Sequence, residues 1–219
     1  MTEGEIRAII GPNGAGKSTV FNMLTGRIRP TSGRVRFRER DITGWPPHRI
    51  ARAGLAIAFQ ITNILPRLTA FENVRVAAQA RRFPNPFVLA ERLSDVTDRA
   101  RAILDEVGLA PLAERRAADL SHGDQRNLEL GIALAGDPAL LLLDEPTAGM
   151  SPEETRNTVA LIRRLAARKT VIIVEHDMEV VMTLAHRITV LDQGRILAEG
   201  PPDHVRADPD VQRVYLRGL

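Results

Sequence analysis

The sequence predicts an α/β fold with a mainly parallel sheet. Three observations carry this. Short apolar runs alternate with amphipathic helical stretches along most of the chain. Several runs are apolar throughout, as central strands covered on both faces require. Gly11-Pro12-Asn13-Gly14-Ala15-Gly16-Lys17-Ser18 has the G-x-x-x-x-G-K-S/T spacing of a phosphate-binding loop, between a strand-like and a helix-like stretch.

Taken in order, Ile6–Ile10 reads as the first strand. In the loop, glycines let the backbone curl so that several N–H groups face one phosphate chain. The following helix, read over Thr19–Leu24, adds its positive end. Lys17 is a point charge for the outer phosphates, and the Ser18 hydroxyl can ligate Mg²⁺. Arg34–Phe37 reads as a strand. Arg34, Arg36, Arg38 and Arg40 alternate with Val35 and Phe37 and form its solvated face. No stacking aromatics interleave with these arginines, so they do not read as a nucleic-acid stripe. Leu55–Phe59 is the next strand, ending at Gln60 before a loop with Pro66.

From about Thr62 to Leu120 the chain is helix-rich, arginine-rich and broken by Pro84 and Pro86. Phe71–Arg82 and Val88–Val107 each suit a helix. Leu89, Leu93, Val96, Ala100, Ile103, Leu104 and Val107 form an apolar stripe that packs on a core. The α/β pattern resumes with a helix over Asp124–Ala135 and a strand over Ala139–Leu143 that runs into Asp144 and Glu145. Pro152–Ala167 is a helix opened by the capping box Ser151-Pro152-Glu153-Glu154. Thr170–Val174 is a strand with His176 just past it. A helix over Met178–Ala185 and strands over Ile188–Leu191 and Arg195–Ala198 complete the pattern.

Composition narrows the function. The 219 residues allow one or two domains, and 44% hydrophobic content is ordinary for a globular chain. A net charge of +3 does not demand nucleic acid. There is no cysteine, which excludes disulfides and thiolate metal sites and suits a reducing compartment. No signal-peptide pattern opens the chain, and no apolar run approaches the roughly 20 residues of a membrane span. Any membrane role then comes through a partner.

Singly, the remaining polar positions have plain readings. Gln60 is a polar strand exit, Ser121 an N-cap, the Asp144–Glu145 pair a solvated strand end and His176 a capping or surface residue. In this order after a phosphate loop they say more, and the chain resembles the ATP-binding-cassette (ABC) ATPases over nearly its whole length. The residues that carry the resemblance are Gly11–Thr19, Gln60, Leu120–Gln125, Leu140–Glu145 and His176. More narrowly it looks like the ATPase subunits of branched-chain amino-acid importers. That match rests on Asp41–Gly44 before Pro47–Ala51, on Leu120–Gln125, on Glu145–Glu154, on Glu175–Met178 and on the tail from Asp208 to Leu216.

The resemblance implies a RecA-like P-loop core from 1–61 and 125–219, with an inserted helical subdomain over 62–124 that includes the signature turn. It implies ATP and Mg²⁺ as ligands. Gly11, Pro12, Asn13, Gly14, Ala15, Gly16, Lys17, Ser18 and Thr19 would bind nucleotide. Ser18, Gln60 and Asp144 would face the metal. Glu145 would orient and deprotonate the attacking water, and His176 would hydrogen-bond the γ-phosphate and that water. Gln60 would report occupancy. Ser121, His122, Gly123, Asp124 and Gln125 would close the site from a second subunit, a copy of this chain or a paralogue. The pair would dock on membrane-spanning permease subunits at the cytoplasmic face of the cell membrane, with no direct contact to nucleic acid. The loop Ile61–Leu68 would receive the permease, or its Ile61, Ile64, Leu65 and Leu68 would be core.

Three departures carry expectations of their own. The commoner signature has two glycines and a glutamine where this chain has His122, Gly123 and Asp124. An acid beside a phosphate is repulsive, so Asp124 is expected to face away, in the first turn of its helix. Ser151 stands where many relatives have aspartate, and its capping role leaves it no catalytic one. Only ten residues precede the phosphate loop. The family pattern places antiparallel strands and an adenine-stacking aromatic there, and neither Trp45 nor Tyr215 holds that position. The expectation is a shortened antiparallel part, weak discrimination between ATP and GTP, and self-association. Urea, amide or lipid transport, a soluble ABC-type ATPase and an unrelated P-loop kinase remain open at this point.

Overall fold

The computed structural model describes residues 1–58, 64–82 and 94–216. The chain forms two compact units. One comprises Met1–Leu55 with Ala139–Leu219, the other Ala56–Pro138. In chain order the elements are β1 (Ile6–Ile10), α1 (Lys17–Leu24), β2 (Arg36–Phe37), β3 (Arg40–Asp41), α2 (Pro47–Ala53) and β4 (Leu55–Ala58). There follow α3 (Ala70–Arg82), α4 (Ser94–Glu106), α5 (His122–Ala135), β5 (Leu140–Asp144) and α6 (Pro152–Ala166). The chain continues through β6 (Thr170–Val174), α7 (Met178–Leu184), β7 (Arg187–Asp192), β8 (Arg195–Gly200), α8 (Pro202–Ala207) and α9 (Pro209–Leu216).

The main sheet has the order β4-β5-β6-β1-β7-β8. Strands β5, β6, β1 and β7 run parallel, and β8 returns antiparallel to β7 with a bulge at Val190/Leu191. Their apolar runs are buried on both faces, as in Leu141, Leu142 and Leu143 on β5 and Val171 to Val174 on β6. Phe21 of α1 and Leu161, Ile162 and Leu165 of α6 are buried too. This topology sets β1 between β6 and β7, with β5 beyond β6. The loops leaving β1, β6 and β5 therefore emerge side by side at the carboxyl ends of parallel strands, where open α/β sheets bind ligands.

The arginine-rich stretch is a hairpin where the alternation predicts one strand. Arg38 and Glu39 take positive φ, 47° and 63°, and turn the chain so that Phe37 pairs with Arg40. Such a turn usually uses Asn or Gly, so its residues gave no signal. Phe59 and Gln60 lie outside the described residues.

In the second unit α3, α4 and α5 pack on one another. Val74 and Ala78 on α3, Val96, Ala100, Ile103 and Leu104 on α4, and Leu128, Leu130 and Leu134 on α5 are buried. This is the predicted stripe, less Leu89 and Leu93, which lie outside the described residues. Gly131 lets α5 come close: a Cβ there would sit 3.4–3.6 Å from Ile103, Val74 and Val107. Because α5 packs on α3 and α4, this unit runs to Pro138, past the Asp124 at which the sequence reading ends the helical segment. Buried Asn73 holds the loop before α3, accepting from Leu65 N–H at 2.7 Å and donating to the Leu65 and Thr69 carbonyls at 3.0 and 2.9 Å. On that loop Ile64 and Leu68 are half-buried and Leu65 is exposed. Ile61 is outside the described residues.

Candidate nucleotide site

The phosphate loop follows β1 and is braced from β7 and the β7–β8 turn. Gly11 packs so closely that a Cβ would lie 2.2 Å from the Leu191 carbonyl, so only glycine fits. Ala15 is buried, and its carbonyl accepts from Gly194 N–H at 3.0 Å. Gly16 precedes α1 at φ 103°, and no side chain caps the helix or adds an acid to its first turn. The first N–H groups of α1 and its positive end are thus left for a ligand. Ser18 and Thr19 are exposed there. Lys17 is buried and folds over its own loop, donating to the Gly11 and Pro12 carbonyls at 2.7 and 3.0 Å. Burial pushes its pKa down, while the charges of Glu145 and Asp144 oppose that shift.

Asp144 ends β5 and is buried. Desolvation, then the charge of Glu145, raise its carboxyl above the usual aspartate range. Glu175 adds to the rise, and His176 and Lys17 oppose it. Glu145 takes a left-handed backbone at φ 51°, and its N–H donates to the Val174 carbonyl at 2.8 Å. Its Oε1 lies 2.8 Å from Nε2 of His176, just past β6. Both side chains are about half exposed, at 44% and 45%. Two loops from neighbouring strands therefore bring a carboxylate and an imidazole into contact beside a lysine and a second acid.

Hard oxygen donors suit Mg²⁺, and the buried Asp144 carboxylate gains if a cation offsets its crowding. Among the described residues no three or more His, Cys, Asp or Glu gather into a metal site.

The signature turn lies in the second unit. Ser121 is the N-cap of α5 and accepts from Asp124 N–H at 3.2 Å. Its hydroxyl donates to Asp124 Oδ2 at 2.7 Å. Asp124 is in the first turn as expected, and its carboxylate turns onto Ser121. The helix cap supplies the reason: the short acid reaches the hydroxyl that caps its own N–H. His122 is exposed, and Gln125 donates to the Ala117 and Leu120 carbonyls at 3.2 and 3.3 Å.

Ser151 forms a full capping box with Glu154 at the start of α6. Sequence reasoning missed Thr147 and Glu175, both buried between the loops of Glu145 and His176. A charged residue straight after the apolar strand Val171–Val174 was the available sign of Glu175.

The ABC transporter family pattern matches residues 1–148. The chain belongs to the ABC transporter family. A second pattern, described as a branched-chain amino acid ATP-binding cassette transporter, matches residues 195–216. The high-affinity branched-chain amino acid transport ATP-binding protein LivG of Escherichia coli is 40% identical over 97% of this chain and 87% of its own length. The corresponding protein BraF of Pseudomonas aeruginosa is 41% identical over 99% and 88%. The solved ADP conformation of an ABC transporter cassette superposes with TM-score 0.84 at 30% identity, over 98% of this chain and 88% of that one. A dimeric cassette in a post-hydrolysis state, bound to ADP and Pi, gives 0.78 at 27% identity, over 92% and 87%. The chain is thus an ATP-binding, ATP-hydrolysing cassette of an ABC transporter on a P-loop core. Among the described residues no helix is long and apolar enough to cross a membrane.

Proposed function

We propose that this cassette powers import of branched-chain amino acids, and that it hydrolyses ATP with Glu145 as general base and His176 as its partner. The cargo reading is supported by the pattern over residues 195–216 and by the two relatives, whose names state that transport. The hydrolytic reading is carried by the 2.8 Å contact between Glu145 and His176 beside Asp144. Phosphoryl transfer passes through a loose transition state, so catalysis is mostly positioning and charge stabilisation. The N–H groups of Gly11–Thr19 and the Lys17 ammonium hold the phosphates. Ser18, Asp144 and Gln60 would hold Mg²⁺, which would supply positive charge to offset that of the phosphates. Glu145 takes a proton from the attacking water, and His176 keeps that carboxylate aimed.

Two copies, or one copy and a paralogue, then share the work. The signature turn Ser121–Gln125 of one subunit closes the site of the other, with Ser121 and the Gly123 backbone toward the phosphates, as the existence of a dimeric ADP-bound relative supports. Closure on ATP and reopening after hydrolysis move the attached permease subunits. The α/β unit would bind nucleotide, and the helical unit built from α3, α4 and α5 would carry the coupling. The membrane is reached only through those partners, on its cytoplasmic face.

Replacing Glu145 with glutamine keeps size and removes the base. Glu145→Gln should bind ATP normally and lose hydrolysis by about a hundredfold or more, measured as phosphate release. Near wild-type turnover would remove Glu145 from the mechanism. With its permease in vesicles, leucine delivered by a binding protein should stimulate ATP hydrolysis. Stimulation by another solute, and not by leucine, would reassign the cargo.

A further inference from the structure

Among the described residues Glu175 is the most buried acid, 3% exposed, between Val174 at the end of β6 and His176. Its Oε1 accepts from the Thr147 N–H at 2.9 Å and from the Thr147 hydroxyl at 2.6 Å. Its Oε2 accepts from the His176 N–H at 3.0 Å. Thr147 lies two residues past Glu145 in the loop that leaves β5. One carboxylate therefore joins the loop that carries Glu145 to the loop that carries His176.

A buried carboxylate is costly unless hydrogen-bonded, and here it also adds negative charge near Asp144. A neutral side chain would fill the same space without that cost. What the carboxylate alone offers is two acceptor oxygens, one for each loop. We propose that Glu175 is a positioning residue for hydrolysis: its two oxygens fix the Glu145 loop to the His176 loop and set the contact between those side chains. This rests on the reading of Glu145 and His176 as the hydrolytic pair. Reacting groups misplaced by about 1 Å can lose a hundredfold in rate, so a clamp this close to both loops bears directly on turnover.

Two substitutions separate the clamp from packing. Glu175→Gln is isosteric but offers one acceptor oxygen, so one loop meets an NH₂ donor instead. Thr147→Val removes only the hydroxyl bond and leaves the backbone one. Each should lower kcat about tenfold while the equilibrium affinity for ATP stays within about twofold, because the phosphates are held by Gly11–Thr19. The double variant should be no slower than Glu175→Gln alone. A kcat unchanged in both, with only the melting temperature lowered, would make Glu175 a packing residue and overturn the proposal.

A second readout needs no turnover. In ¹⁵N-labelled protein Thr147→Val should shift the His176 backbone amide, and the same change in a Glu175→Gln background should not. A His176 amide that ignores Thr147→Val overturns the clamp even if rates fall. Wild-type turnover in Glu145→Gln instead removes the hydrolytic reading and leaves the amide coupling standing. Should Glu175→Gln fail to fold, Thr147→Val still gives both kcat and the amide shift.

Discussion

Helices α1 and α5 both begin at turns proposed to meet nucleotide, yet their first turns are built in opposite ways. The start of α1 has no side-chain cap, no acid and a left-handed Gly16. The start of α5 is capped by Ser121, and the cap is itself bonded to Asp124. An uncapped N-terminus leaves N–H groups that an anion completes, whereas a capped one is already satisfied by its own side chains. The difference teaches how to read a helix start. The first is ready for phosphate as it stands. The second must release part of its own bonding to meet one.

The largest effect should come from the uncapped end. Lys17→Ala removes a charged donor at the phosphates and should weaken ATP binding about a hundredfold by equilibrium titration, equivalent to 2–3 kcal/mol. Mixing Lys17→Ala with Ser121→Arg subunits sharpens the contrast. If the capped end serves a neighbouring copy, mixed dimers regain about one competent site while neither variant alone is active. No recovery on mixing would confine both motifs to one copy.

A smaller effect tests the capped end. Asp124→Asn removes a negative charge beside Ser121 and keeps a side chain able to accept. If this turn meets phosphate, KM for ATP should fall about threefold, the scale of one charge at a helix end. An unchanged KM would mean that Asp124 stays clear of the phosphates during closure.

The smallest effect is on stability. The folded Asp144 carboxyl has a raised pKa, so the folded state holds its proton more tightly than the unfolded chain. Stability is therefore lost as pH rises through the usual aspartate range toward the raised value. Asp144→Asn has no such loss. Without nucleotide it should melt at a higher temperature than wild type at neutral pH, with the gap closing in acid. Adding Mg²⁺ and ATP should stabilise wild type more than the variant. A lower melting point for Asp144→Asn at neutral pH would show that Asp144 supports the fold.

Local signals were legible in the sequence. The bounds of β1 and β6, the stripe on α4 and the capping box of α6 all follow from periodicity and cap chemistry over a few residues. Helix α2 went unread because seven residues hold too little period. Its proline start and its left-handed Gly54 at the end were the usable marks. Thr147 and Glu175 stayed hidden for a different reason. They are 28 residues apart, and only the β5–β6 pairing brings them together. The place of Asp124 in the first turn was legible, but its bond to the Ser121 hydroxyl was not, because the expectation weighed only a phosphate ligand and not the nearer donor.

The left-handed backbone at Glu145 constrains what the chain can become. Side chains other than glycine, asparagine and aspartate sit uneasily at φ 51°, at a cost of about 1 kcal/mol or more. Drift toward the comfortable residues would therefore be rewarded by folding. Glycine and asparagine offer no base, and aspartate is one methylene too short to keep the present reach to His176. With Glu145 as the proposed base, every step downhill in backbone strain is a step away from turnover. On that proposal the position holds glutamate only while selection for hydrolysis outweighs selection for stability, and lineages released from transport should lose this residue before they lose the fold.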